Sequence, residues 1–129
     1  MKLSIIFPGQ GSQSIGMGKN LFDNSKEIQE LFEKASDILK EDMQKLCFEE
    51  NDKLNLTRYT QPAILLVSYS VYHLIKPKIF ENIHMSLGHS LGEFSALCAS
   101  GALSFEEALK LVSKRGELME ESCKKQQAG

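Results

Sequence analysis

The sequence predicts an α/β fold in which helices flank a short parallel sheet. Two short apolar segments, Leu3–Phe7 and Ile83–Leu87, each run into a glycine-containing loop and have the length of buried strands. Between and after them, apolar residues recur at helical spacing or form longer apolar runs. Strands of this kind separated by helices indicate the mixed class.

Length and composition fit one globular domain or a part of one. The chain has 129 residues, of which 42% are hydrophobic and 25% charged, enough to bury a core. Its net charge of −2 gives no reason to expect a nucleic-acid or anionic membrane partner. No apolar run approaches the length that crosses a bilayer, and the apolar start is too short for a signal peptide. We therefore expect no membrane association.

The three cysteines, Cys47, Cys98 and Cys123, are an odd set without Cys-x-x-Cys spacing. Such a set does not predict a disulfide framework or a zinc site. Reduced thiols in a cytoplasmic protein are the simplest interpretation, and we expect neither a metal nor a bound cofactor.

The first strand runs straight into the loop 8–13, of sequence PGQGSQ. A glycine-rich loop after a strand can present bare backbone N–H groups to an anion. The nucleotide fingerprints fail on spacing, because Ser14 stands where a dinucleotide loop has its third glycine and Asn20 follows Gly18-Lys19. From the residues alone, the loop is either an anion-binding turn or a plain strand-to-helix turn.

Two helices are predicted before the second strand. Residues 24–39 carry an amphipathic pattern with Ser25 as its N-cap, and 41–55 is polar and reads as a connection. Thr60-Gln61-Pro62 then opens a mostly buried helix over 63–75, which Lys76-Pro77-Lys78 is expected to end. His73 in this helix is more typical of a packed or surface histidine than of a catalytic base.

The sequence GHSLGE at 88–93 matches the Gly-x-Ser-x-Gly nucleophile elbow, between the second strand and a helix predicted from Leu91 to Ala99. A turn this tight leaves no room for side chains at Gly88 and Gly92. It lifts the Ser90 hydroxyl above the sheet edge, beside the next backbone N–H and a helix N-terminus that favours negative charge. The pattern alone is weak, and the flanking strand and helix strengthen it.

The last predicted helix starts at a capping box of Ser104 and Glu107, after Ser100-Gly101 ends the helix before it. It runs to about Cys123. Its predicted apolar stripe consists of Ala108, Leu111, Val112, Leu118 and Met119. Arg115 falls inside this stripe, where a guanidinium is costly unless it meets an anion. That anion could be a ligand or an internal partner such as Glu93.

Four motifs occur here in a fixed order: PGQGSQ at 8–13, Gln61-Pro62-Ala63, GHSLGE at 88–93 and Arg115-Gly116. In these motifs the chain resembles the N-terminal part of the malonyl-CoA:acyl carrier protein transacylase family. The resemblance implies a truncated α/β-hydrolase-like core of the acyltransferase family, with residues 1–129 as its N-terminal portion. It also implies that malonyl-CoA and acyl carrier protein are the partners, in fatty acid biosynthesis.

The same resemblance implies roles for individual residues. Ser90 would be the nucleophile, and the backbone N–H groups of Gln10 and Leu91 would form the oxyanion hole. Arg115 would hold the free carboxylate of the malonyl group. Gln10, Gln61 and Met119 would also contact the substrate.

Size is the departure from the family, whose members are more than twice as long. The general-base histidine and the ferredoxin-like subdomain would lie in the part that is absent, so the chain alone is expected to be inactive or weakly active. Two other hypotheses stay open: a serine hydrolase of the esterase or lipase type, which shares the elbow, and a non-catalytic fragment, which the missing histidine favours.

Overall fold

A computed structural model of the chain describes residues 1–128. It contains two strands, β1 (Leu3–Phe7) and β2 (Ile83–Gly88). Six α-helices accompany them: α1 (Lys19–Asn24), α2 (Lys26–Leu39), α3 (Met43–Phe48), α4 (Thr57–Ile79), α5 (Leu91–Ala99) and α6 (Phe105–Ala128). A 3₁₀ turn, Phe80–Asn82, joins α4 to β2.

The two strands pair in parallel, as the sequence predicts. The register places Ile5 opposite Ser86 and Phe7 opposite Gly88, with an irregularity between Leu3 and Ser4. Because parallel strands end at the same edge of a sheet, the loop after β1 and the loop after β2 emerge side by side. This topology brings the two glycine-containing loops together.

The first long helix follows the prediction closely. α2 begins after Ser25, whose side chain accepts a hydrogen bond from the N–H of Ile28 at 3.4 Å. Its apolar face buries Ile28, Phe32 and Ala35 completely. The short α1 before it was not predicted from the sequence.

The prediction that 41–55 is an irregular connection is wrong, because this segment contains α3. The Asp42 side chain caps this helix by accepting from the N–H of Lys45 at 3.1 Å. Phe48 at its end packs against Phe22 and Phe32, with ring centroids 5.4 and 5.2 Å away. Six residues are too few to show a clear helical period, so tertiary packing stabilises this helix.

The predicted bounds of α4 are also wrong. The helix begins at Thr57, so Pro62 lies in its second turn, and it continues through Pro77 to Ile79. Each internal proline removes one backbone hydrogen bond. Burial of the residues from Thr60 to Leu66 among the neighbouring helices stabilises the helix despite that loss.

The two C-terminal helices start as predicted. α5 spans Leu91–Ala99, and Gly101 follows it with a left-handed φ of 85°. The Ser104 hydroxyl accepts from the N–H of Glu107 at 3.1 Å, which confirms Ser104 as the N-cap, and this hydroxyl donates to Glu107 Oε1 at 3.0 Å. α6 extends beyond the expected end at Cys123.

The predicted apolar stripe of α6 is only partly buried. Ala108 and Val112 are fully buried, but Leu111, Leu118 and Met119 are 45%, 51% and 39% exposed. The buried face of α6 instead runs through Phe105, Leu109 and Gly116. α4 packs against this face, and its backbone comes so close at Gly116 that a Cβ atom there would collide with Thr57 and Arg58.

The main core lies among α2, α3, α4, α5 and α6, and a smaller cluster of Phe7, Tyr72 and Ala96 lies beneath the sheet. None of the helices formed by residues 1–128 combines the length and the apolar character needed to cross a membrane. The main core therefore holds α4, which contacts the loop after β1, and α5, which begins directly after the loop that follows β2.

Candidate active site

Ser90 sits at the junction of β2 and α5 in a strained backbone conformation. Its φ of 54° and ψ of −110° lie in a region that residues other than glycine rarely occupy. Such strain persists only where the surrounding structure enforces it, and it concentrates at functional sites. The conformation is that of a nucleophile elbow, and it leaves the Ser90 side chain exposed.

The two glycines of the elbow are required by close backbone contacts. A Cβ atom at Gly88 would collide with the backbone carbonyl of Gly92. A Cβ atom at Gly92 would in turn collide with the carbonyl of Phe7, at the end of β1. The Gly-x-Ser-x-Gly spacing therefore reflects both the tight turn and its packing against the neighbouring strand.

The loop 8–13 lies directly against this elbow. A Cβ atom at Gly9 would collide with the carbonyl oxygen of His89, and the N–H of His89 donates to the carbonyl of Phe7 at 3.3 Å. The two loops thus meet through their backbones. Gln10, the next residue of the loop, is held beside the elbow.

Within this loop, internal hydrogen bonds leave the Gln10 N–H available. The N–H of Gly11 donates to the side chain of Gln13 at 2.8 Å, and the N–H of Ser12 donates to the carbonyl of Gly9 at 3.3 Å. Among residues 1–128, the N–H groups of Gln10 and Leu91 have no acceptor. These are the two donors that the sequence analysis assigned to an oxyanion hole.

Arg115 reaches the elbow from α6. Its Nη2 donates to Ser90 Oγ at 3.2 Å, and its Nη1 donates to Gln61 Oε1 at 2.9 Å. The guanidinium carbon lies 5.2 Å from the ring centroid of Phe94, a cation–π distance. Gln61 from α4 and Phe94 from α5 therefore orient this arginine over the serine.

No carboxylate pairs with Arg115 in the described part of the chain. The ion pairs there involve other residues, and Glu93 is not a partner of this arginine. The alternative of an internal ion pair is thus not what the structure contains. A half-buried guanidinium with neutral partners keeps its capacity to bind an incoming anion.

Gln61 and Met119 join α4 to α6 next to the arginine. Gln61 is almost fully buried, and its Nε2 lies 3.1 Å from Met119 Sδ. With its Oε1 accepting from Arg115, both ends of the amide are engaged. Gln61 thereby fixes the approach of the guanidinium, and Met119 lies at the margin of the site.

The histidines do not complete a triad with Ser90. His73 Nε2 lies 3.0 Å from Glu27 Oε2 on α2, and His84 is exposed on β2. His89 makes no hydrogen bond to Ser90 within residues 1–128. None of these three histidines is hydrogen-bonded to Ser90 within residues 1–128.

Phe94 and Thr57 belong to the site but were not singled out from the sequence. Phe94 lies one helical turn after Ser90, and this spacing could have placed it on the same side of α5. Thr57 Oγ1 accepts from Gln10 Nε2 at 3.1 Å, a contact between residues 47 positions apart that no local pattern signals.

An open groove of about 500 Å³ extends from Arg115 along α6. It is lined by Phe94, Leu111, Arg115, Leu118 and Met119, so three of the five residues of the predicted stripe face this groove. Residues 1–128 contain no group of three or more histidine, cysteine or carboxylate side chains that could hold a metal ion.

Comparison with known proteins identifies the family to which the chain belongs. A family model described as an acyl transferase domain matches residues 5–128. The malonyl CoA-acyl carrier protein transacylase of Bacillus subtilis is 47% identical over 119 residues, which cover 92% of this chain and 30% of that protein.

Solved structures agree with this match. The malonyl-CoA:acyl carrier protein transacylase of Helicobacter pylori superposes with a TM-score of 0.90 at 52% identity, covering 95% of this chain and 40% of its own. A malonyl-transacylase in complex with a type II PKS acyl-carrier protein gives 0.88 at 38% identity, with 94% and 40% covered. The chain thus spans about a third to two fifths of these relatives, and it belongs to the acyl transferase domain family.

Proposed function

We propose that the protein transfers a malonyl group from malonyl-CoA to the phosphopantetheine thiol of an acyl carrier protein, as a step of fatty acid biosynthesis. The observation that carries this proposal is the Arg115 guanidinium, which bonds to Ser90 Oγ at 3.2 Å and has no carboxylate partner among residues 1–128. A cation placed beside a nucleophile suits an acyl group with a free carboxylate.

In the first half-reaction, Ser90 Oγ attacks the thioester carbonyl carbon of malonyl-CoA and loses its proton to a base. The negative charge that develops on the carbonyl oxygen is received by the N–H groups of Gln10 and Leu91. Collapse of the tetrahedral intermediate breaks the carbon–sulfur bond, and the coenzyme A thiolate leaves and is protonated. The product is a malonyl ester on Ser90.

In the second half-reaction, the phosphopantetheine thiol of the carrier protein gives up its proton and attacks the ester carbonyl. The same two N–H groups receive the oxyanion. The carbon–oxygen bond to Ser90 breaks, and the serine recovers its proton. Arg115 holds the malonyl carboxylate throughout, so the acyl group keeps one orientation in both steps.

The elbow supports this chemistry over a cysteine-based route. Burial raises the pKa of the Cys47 thiol to about 12 and that of the Cys98 thiol to about 11, which keeps both protonated near neutrality. Ser90 is exposed at the start of α5, where the helix dipole favours a developing negative charge.

The base is the missing component. We propose that residues 1–129 are the N-terminal portion of an acyltransferase core domain, with the general-base histidine, the ferredoxin-like subdomain and the C-terminal part outside them. The coverage of about 40% of the solved relatives supports this. Because a general base typically contributes about 10²–10⁴-fold, the 129-residue chain alone should turn over slowly.

The proposed partners and location follow from the same comparisons and from the cysteines. One solved relative is a complex with an acyl-carrier protein, which supports such a partner here. We place the protein in the cytoplasm because Cys47, Cys98 and Cys123 are all unpaired thiols.

A serine esterase of the neutral-ester type would have no use for Arg115 beside its nucleophile.

The test is a transfer assay with the protein expressed at the full length that its gene encodes, using malonyl-CoA and a phosphopantetheinylated carrier protein. We expect malonyl transfer that Ser90→Ala abolishes. Ser100→Ala, which changes an exposed serine at the other end of α5, should leave it intact. Hydrolysis of neutral esters without malonyl transfer would instead identify a serine hydrolase.

A further inference from the structure

We propose that Glu120 is a positioning residue that holds α4 in the register which aims Gln10 and Arg115 at Ser90. The inference rests on the proposed function and adds to it a residue that none of the family motifs contains. It starts from the first turn of α4, the structural link between the loop 8–13 and α6.

The N-terminus of α4 lacks a cap of its own. Leu56 occupies the N-cap position and provides no side-chain hydrogen bond. The first N–H groups of a helix need acceptors, which the N-cap side chain usually supplies. Here the acceptor comes from α6, since Glu120 Oε1 accepts from the backbone N–H of Arg58 at 2.8 Å.

The second oxygen of Glu120 completes a two-point contact. Glu120 Oε2 accepts from Arg58 Nε at 3.0 Å, so one carboxylate holds both the backbone and the side chain of the same residue. The Glu120 side chain is only 16% exposed. A mostly buried carboxylate that accepts two such bonds determines the distance between the helices more strictly than a surface ion pair does.

Gly116 permits this close approach. A Cβ atom at this position would lie 2.7 Å from the Thr57 carbonyl oxygen and 2.8 Å from Arg58 Cα. The helices therefore touch through their backbones one turn before Glu120 on α6. Any shift of α4 along α6 would have to break the Glu120 contact.

Two hydrogen bonds connect the N-terminal part of α4 to the site. Thr57 Oγ1 accepts from the Gln10 side chain at 3.1 Å, which secures the loop that carries the Gln10 N–H. One turn later, Gln61 accepts from Arg115 at 2.9 Å. The register of α4 thus sets an oxyanion donor and the carboxylate-binding arginine together, and Glu120 sets the register.

The experiment compares Glu120→Ala and Glu120→Gln with Glu121→Ala, the neighbouring exposed carboxylate, in the protein expressed at its full encoded length. Active sites are counted with a serine-reactive phosphonate, and its labelling rate at Ser90 is recorded. We expect Glu120→Ala to lower kcat/KM per active site for malonyl-CoA about tenfold or more, because a misplacement of about 1 Å can cost about 100-fold. The preference for malonyl-CoA over acetyl-CoA should fall as well.

Glu120→Gln should lower kcat/KM less than Glu120→Ala does, since an amide oxygen can still accept from the Arg58 N–H. Thr57→Val combined with Glu120→Ala should slow phosphonate labelling less than the product of the single effects, since both act through one link to Gln10. A purely structural role predicts a lower melting temperature with an unchanged rate and preference per active site.

That structural result, or additive effects in the double variant, would overturn the inference. The proposed function fails separately, if the wild-type protein does not transfer malonyl at all. The labelling rates at Ser90 still decide the role of Glu120 in that case. Glu120→Gln keeps the test decisive if Glu120→Ala does not fold.

Discussion

At the scale of single residues, Arg115 is the side chain by which the proposed malonyl site differs from a neutral-ester site. The guanidinium contacts Ser90, Gln61 and the ring of Phe94 and has no carboxylate partner within residues 1–128. A planar fork of this kind binds a carboxylate through two parallel hydrogen bonds, whereas a lysine offers only a point charge.

We therefore expect Arg115→Ala to reduce malonyl transfer by at least about 30-fold, because a hydrogen-bonded charge pair that is truncated on one side costs about 2–5 kcal/mol. Arg115→Lys should restore little of it. Acetyl transfer should fall much less, since acetyl-CoA has no carboxylate. Steady-state rates with both donors measure this, with Lys114→Ala as the control. Equal losses with both donors and a lower melting temperature would mean that Arg115 is structural.

Gly88 illustrates a residue whose role is purely steric. Its added Cβ would collide with the backbone of Gly92, whereas a Cβ at Gly101 would meet open space but keep a left-handed φ of 85°. Gly101→Ala should cost about 1–2 kcal/mol of stability from backbone strain alone. Gly88→Ala should cost more, because backbone atoms must also move apart. Denaturant titrations compare the two, and equal costs would show that the elbow has room for a side chain.

At the scale of elements, the contact between α4 and α6 makes stability depend on pH. Burial alone would raise the pKa of Glu120, but the hydrogen bonds from the Arg58 backbone and side chain outweigh it and lower that pKa. A carboxyl group with a lowered folded-state pKa stabilises the protein fully above its ordinary pKa of about 4.3. Its contribution is lost as the pH falls from there through the lower folded-state value.

The corresponding prediction is that wild type melts at a higher temperature than Glu120→Gln at pH 7. The difference should shrink as the pH falls below about 4, because the carboxylate becomes protonated first in the unfolded and then in the folded state, and it should be smallest once both states are protonated. Thermal unfolding at several pH values measures it, and Glu121→Gln serves as the control. A difference that stayed constant down to pH 2 would contradict the assignment of the charge to this contact.

Elements with a local signal were predicted from the sequence, and those that depend on distant contacts were not. The Ser25 and Ser104 caps act within three residues and located the starts of α2 and α6. The start of α4 is capped by Glu120, 62 positions away from Arg58, so no local pattern marks it. α3 depends in the same way on the packing of Phe48 against Phe22 and Phe32.

The residues of the candidate site also differ in whether a local sequence pattern predicts them. The spacing of the elbow glycines is local, so Ser90 and Leu91 could be predicted as a pair. Arg115 stands out in the sequence because a charge interrupts an apolar stripe, although three of the five residues of that stripe are exposed. The contacts of Gln10 with Thr57 and of Arg115 with Phe94 join different elements, so only the structure reveals them.

At the scale of the whole molecule, one face of the sheet has no cover from the described residues. Ile6 and Leu87 are register partners and are 73% and 48% exposed, and Met85 lies two residues before Leu87 on the same face. The 129-residue chain should therefore associate with itself, because contiguous exposed apolar surface favours burial.

We expect light scattering after size exclusion to show a mass above that of the monomer, increasing with concentration. The double change Ile6→Thr and Leu87→Thr should lower it. Leu56→Thr, which alters an equally exposed leucine away from the sheet, should not. A strictly monomeric chain at all concentrations would show that this face does not drive association.

The central claim is that Ser90 carries the acyl group under the control of Arg115. The most direct measurement is peptide mass mapping of the full-length protein after rapid mixing with malonyl-CoA and acid quenching, without carrier protein. The account predicts a malonyl adduct on the peptide that contains Ser90, its absence in Ser90→Ala, and its discharge when carrier protein is added before the quench. A stable malonyl adduct on a cysteine, with Ser90→Ala still active in transfer, would contradict it.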